Sequence, residues 1–171
     1  MAMVGLSLVL GFLCVVVQGV LLHSGVASFL VPQCTVLAVV FLAFYEVSVV
    51  GAVVAFVIGF LMDLASAEVI GPWAGACVAV YGCFSLLSQR LFIDAGPAAI
   101  IIAFVASAMA ELLYLSIEPT PPEVTWALVG GIAARAVVTG CCAPLLFSTL
   151  IRRVGKGQAP LTGRSTSLPS V

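Results

Sequence analysis

The sequence predicts an all-α integral membrane protein folded as a six-transmembrane-helix bundle. Of 171 residues, 63% are hydrophobic and only 8% charged, where a soluble domain carries roughly 25% charge. The apolar residues fall into runs close to the twenty or so that one helix needs to cross a bilayer core about 30 Å thick. Proline or glycine marks most boundaries between the runs, where helices begin and end.

The first run, residues 4–22, lacks the basic flank and small-residue cleavage site of a signal peptide and reads as a retained helix. The second, 28–45, carries Pro32 in its first turn, where a missing N–H costs nothing. The third, 47–64, follows Glu46 directly. Together they hold about 37 residues, too many for one crossing and just enough for two joined by a very tight turn. The fourth run, 72–89, opens on Gly71-Pro72 and the fifth, 97–117, on Gly96-Pro97. The sixth, 126–151, follows the link 118–123, whose prolines cannot continue a helix. The membrane domain is thus expected over 1–154. Residues 155–171, rich in Gly, Ser, Thr and Pro, are expected to form a disordered cytoplasmic tail.

Orientation follows from the basic residues. Arg152, Arg153, Lys156 and Arg164 come after the last run and Arg90 lies between the fourth and fifth, on the same side of a six-span chain. That side is expected to be cytoplasmic, with both termini inside. The opposite links carry Glu68, Glu118 and Glu123 and no basic residue. Arg152, Arg153 and Lys156 are expected at the lipid headgroups, each worth about 1 kcal/mol of attraction to anionic lipid.

Asp63, Glu111 and Arg135 stand inside apolar runs, where an ionisable group costs at least about 2.5 kcal/mol and needs a partner or water. Arg135 lies roughly 14 Å into its span and Glu111 roughly 9 Å from the same end. The expectation is an intramembrane ion pair between Arg135 and Glu111, with Asp63 as the second choice of partner. A plainer account of Asp63 is a helix-end carboxylate that reaches interfacial water. Each ion also sits on a ladder of small residues: Gly51, Ala55, Gly59, Asp63; Ala99, Ala103, Ser107, Glu111; and Gly131, Arg135, Thr139. Such ladders let helix backbones approach in lipid, although chains this rich in Gly and Ala also produce them by chance.

Other chemistries lack their residues. A near-neutral charge balance offers no basic surface for nucleic acid. His23 is the only histidine, so no set of four zinc ligands assembles and no metal or cofactor is expected. The six cysteines all lie in apolar runs, where a thiol packs as a small hydrophobe. Gly155-Lys156-Gly157 lacks the frame of a phosphate loop. A serine nucleophile has no base within reach and aspartyl chemistry lacks a second aspartate, so an enzyme is not expected.

The stretch Gly59-Phe60-Leu61-Met62-Asp63-Leu64-Ala65-Ser66, followed by Gly71, resembles the signature region of the rod shape-determining protein MreD family. Pro32 opening the second span, Arg90 after the fourth, Pro-Pro-Glu before Trp126 and Pro144 before Arg152-Arg153 agree with it in order, and the resemblance covers essentially the whole chain. Pro72 directly after Gly71, the Ser/Thr/Pro tail and the scarcity of basic residues near the N-terminus depart from it.

The resemblance implies a fold similar to the substrate-binding subunit of energy-coupling-factor transporters. It also implies a non-enzymatic scaffold in the bacterial inner membrane, beside MreC and linked through it to MreB, RodA and its class B penicillin-binding partner. It would support cell shape and lateral peptidoglycan synthesis. The alternative is a solute-binding membrane subunit of a transporter. A cavity lined by polar groups between spans three, five and six would favour binding; a closed bundle would favour the scaffold.

Overall fold

The computed structural model describes residues 2–24, 30–66, 71–88, 97–117 and 125–155. It is all-helical, with six helices in chain order: α1 (Ala2–His23), α2 (Cys34–Tyr45), α3 (Val49–Ser66), α4 (Pro72–Ser88), α5 (Pro97–Ile117) and α6 (Trp126–Gly155). Among the described residues, three are long and apolar enough to cross a membrane, over Val49–Ser66, Pro97–Ile117 and Trp126–Thr149; Leu8–Leu21 within α1, Cys34–Tyr45 and Pro72–Ser88 are shorter apolar helical stretches. The 155–171 tail, Arg90, Lys156 and the links carrying Glu68, Glu118 and Glu123 lie outside the described residues, apart from Gly155 at the end of α6.

The helix starts follow local chemistry. Pro97 and Pro72 occupy the first helical position of α5 and α4, where the pyrrolidine ring is already set for helix and its missing N–H is no loss. Thr125 caps α6: its hydroxyl accepts the backbone N–H of Leu128 at 3.3 Å. Pro144 sits inside α6, which continues through it to Gly155, as proline in apolar helices does when neighbouring helices support the backbone.

α2 departs from the expected second span. It starts at Cys34, so Pro32 precedes the helix instead of standing in its first turn. Proline steers the residue before it away from helical backbone. Gln33 then adopts φ −80° and ψ 70° with Cys34 N–H on the Pro32 carbonyl at 2.9 Å, an inverse γ-turn. The resulting helix has 12 residues, about 18 Å against a core of about 30 Å.

This short helix is the centre of the bundle. It contacts all five others, and Thr35 through Ala43 are buried on every side of it. α3 packs most extensively on α4, and α5 on α6. Phe41 of α2 stacks on Phe147 of α6 with ring centroids 6.0 Å apart. The α2–α3 turn is a three-residue link, residues 46–48, and Tyr81 of α4 clamps it. The Tyr81 hydroxyl donates towards the carbonyls of Glu46 (2.6 Å) and Ser48 (2.9 Å) and accepts the Ser48 N–H at 3.1 Å.

Polarity is distributed the opposite way from a water-soluble globule. Gln18, Gln33, Thr35, Asp63, Ser107, Glu111 and Thr139 are buried, while Val9, Phe12, Leu13 and Val20 of α1 and Val49, Val53 and Phe56 of α3 face outward. Exposed apolar surface on this scale belongs against lipid. Among the cysteines, Cys14 and Cys77 are buried and Cys83 and Cys141 exposed, so the latter two present their thiols outward instead of packing within the bundle.

Candidate functional site

The buried polar side chains converge where α1, α3 and α5 end and α4 and α6 begin. Nη1 of Arg135 in α6 lies 2.5 Å from Oε1 of Glu111 in α5. The same carboxylate oxygen accepts the side-chain amide of Gln33, also at 2.5 Å. Oε1 of Gln33 accepts the Ser107 hydroxyl at 2.7 Å, and its backbone N–H donates to Oγ1 of Thr139 at 3.0 Å. Thr139 donates in turn to the Arg135 carbonyl at 2.8 Å. Gln33, just ahead of α2, thereby ties α5 to α6.

These contacts answer a physical demand. A helix that begins inside an apolar bundle has opening N–H groups without intrahelical acceptors, each costly to leave bare. Gln33 supplies no side-chain cap of its own. Tertiary partners replace it: Thr139 takes the N–H of Gln33, and Oε1 of Gln18 in α1 takes both the N–H (3.4 Å) and the hydroxyl (2.9 Å) of Thr35. Glutamines within apolar runs also carry a transfer cost, smaller than that of ions, unless they are hydrogen-bonded. That cost is the signal in the sequence that marks Gln18 and Gln33, which the charged residues alone do not reveal.

Asp63 is neither Arg135's carboxylate in this arrangement nor a helix end reaching interfacial water. It is 1% exposed and turns inward onto the first turn of α4. Its Oδ2 accepts the N–H groups of Gly71 and Ala74, and its Oδ1 that of Trp73, each at 3.0 Å. Gly71 stands at the position where a helix ordinarily carries a capping side chain, and it has none; Pro72 has no N–H. Asp63 supplies the missing oxygens from the neighbouring helix, at the end where the opening N–H groups of α4 point. Gly71 holds φ +126°, a conformation L side chains rarely adopt.

The small residues divide. A Cβ on Gly59 would lie 2.6 Å from the Trp73 carbonyl oxygen and 2.7 Å from Ala74 Cα, so this glycine sets how closely α3 and α4 approach. A Cβ on Gly51 would run into the Tyr81 hydroxyl. Ala55, Ala99, Ala103 and Ser107 are fully buried. Gly131 is different: among the described residues nothing lies within 4 Å of a Cβ there, so it packs against none of the described helices. The contact face of α6 instead runs through Ala136, Thr139, Ala143 and Phe147, with Gly140 against the Ile100 carbonyl. Arg152 and Arg153 lie in the last turns of α6.

Beside the Glu111–Arg135 pair is a cavity of about 210 Å³, lined by Gln18, Val31, Met62, Ser66, Trp73, Glu111, Tyr114 and Arg135. It lies among α1, α3, α4, α5 and α6, so the bundle formed by the described residues is not closed here. Trp73 and Tyr114 form an aromatic wall, with ring centroids 4.8 Å apart. Set against known proteins, the chain matches no family model, no curated protein and no solved structure.

Proposed function

We propose that the chain is a non-enzymatic membrane adaptor of the bacterial cell-elongation machinery, resembling MreD. On this reading all six helices cross the inner membrane and both termini are cytoplasmic. The observation that carries it is the joint between α3 and α4: Gly59, Asp63 and Gly71, the residues on which the resemblance rests, act together there as one device. α2 supplies about 18 Å of such a crossing as helix, and the turn that leads into it has its Gln33 amide satisfied by Thr139 of α6.

With so little chain outside its helices, the protein would meet partners through helix faces and short links. MreC is the first such partner, and through it MreB, RodA and the class B penicillin-binding protein. Arg152, Arg153 and Lys156 would rest on anionic lipid. Affinity purification of the tagged chain from its bacterial host in mild detergent tests this. An MreC-type protein should copurify, and deleting the gene should turn rods into spheres. Failure of both overturns the reading.

A solute-binding transporter subunit is the second reading, and the polar-lined cavity between α3, α5 and α6 favours it. Its test is solute uptake by membrane vesicles that contain the chain together with its copurifying partners.

A further inference from the structure

The polar edge of the cavity has unspent hydrogen-bonding capacity. Oε1 of Gln18 is fixed towards Thr35 by that residue's backbone N–H, which requires an acceptor, so the amide –NH2 points the other way. Among the described residues, Nε2 of Gln18, the indole N–H of Trp73 and Oε2 of Glu111 meet no protein partner, the bonds of Glu111 all falling on Oε1. The three residues are 4%, 7% and 8% exposed. No fully enclosed side-chain nitrogen or oxygen lacks a partner among the described residues. These three atoms therefore open onto space, and the cavity is the space their residues share.

We propose that this cavity binds a small, uncharged cyclic amide or ureide. The inference rests on the solute-binding reading and names its ligand chemistry. Two donors and one carboxylate acceptor match a ring edge that carries C=O beside N–H. Among the described lining residues Glu111 and Arg135 are the charged pair and offset each other, so these walls offer no net charge to an ion. A ligand carboxylate would meet the open oxygen of Glu111, and an ammonium would meet Arg135. A zwitterion would give up far more hydration than an uncharged amide on entering so apolar a bundle. The Trp73–Tyr114 wall suits a flat ring. At about 210 Å³ the cavity lies below the roughly 300–1,000 Å³ of drug-sized sites, which limits the ligand to about one ring.

The test is equilibrium dialysis of the purified full-length chain, in mild detergent, against radiolabelled uracil, with benzoate and glycine as competitors. Saturable uracil binding that neither competitor displaces is the expected result. Trp73→Phe keeps the aromatic wall and removes the N–H, and should weaken binding about tenfold in chain that still elutes as a single folded species. Gln18→Leu should weaken it comparably. No saturable binding, displacement by benzoate or glycine, or unchanged affinity in folded Trp73→Phe overturns the inference. Uracil binding without vesicle uptake supports the site and removes the transporter reading; uptake of some other solute without uracil binding does the reverse.

Discussion

The carboxylate of Asp63 accepts the backbone N–H of Ala74 at 3.0 Å, so one helix caps the next across an eleven-residue interval. Replacing Asp63 with alanine strands the amides of Gly71, Trp73 and Ala74 together. We expect a loss of about 2–4 kcal/mol. Asp63→Asn keeps one acceptor oxygen and should lose less. Thermal unfolding in detergent, followed by fluorescence-detected gel filtration, measures both; equal losses would mean that the carboxylate is not the cap.

Glu111 is held by Arg135 and Gln33 at once. Arg135→Leu alone leaves a buried carboxylate without its cation and should cost about 2–4 kcal/mol, the lower part of the range for buried pairs because Arg135 retains some exposure. Combining it with Glu111→Gln removes the stranded charge and should recover at least about 1 kcal/mol. A double variant no more stable than the single would contradict the pairing.

Two glycines offer a contrast. Gly59→Ala drives a methyl group into the backbone of α4 and should destabilise by about 1–3 kcal/mol. Gly131→Ala meets none of the described residues and should be neutral or gain up to about 1 kcal/mol from helix propensity. The same thermal assay separates them.

Tyr81→Phe removes the clamp on the α2–α3 turn: the Glu46 and Ser48 carbonyls lose their hydroxyl donor, and the Ser48 N–H keeps only the Glu46 carbonyl at 3.0 Å. A loss of about 1–3 kcal/mol is expected. Faster proteolysis between Glu46 and Ser48, with helix content by circular dichroism unchanged, would identify the turn as the part released.

The helices were legible because apolar runs and Pro or Gly punctuation act locally: Pro97 and Ile117 bound both the run and α5. The start of α2 was not, because Val31, Pro32 and Gln33 continue an apolar run while their backbone turns, and the partners that make this tolerable lie on α1 and α6. Glu111 and Arg135 stand out as ions in apolar sequence, and the structure brings them together. Asp63 stands out equally, but its use depends on the first turn of α4 lying beside the end of α3, which spacing alone does not encode. Gly131 shows the limit of a periodic pattern: spacing places a small residue on a ladder without saying whether a neighbour stands opposite.

The borrowed caps of α2 also govern how the protein is made. On the proposed six-crossing topology, a twelve-residue segment has too little greasy length to leave a translocon unaided, and one of the acceptors for its opening amides, Thr139, belongs to α6. The centre of the molecule is therefore finished last: until the ribosome has released α6, the middle of the bundle is an unsealed seam, and a nascent chain cut short before that helix is a natural substrate for membrane quality-control proteases.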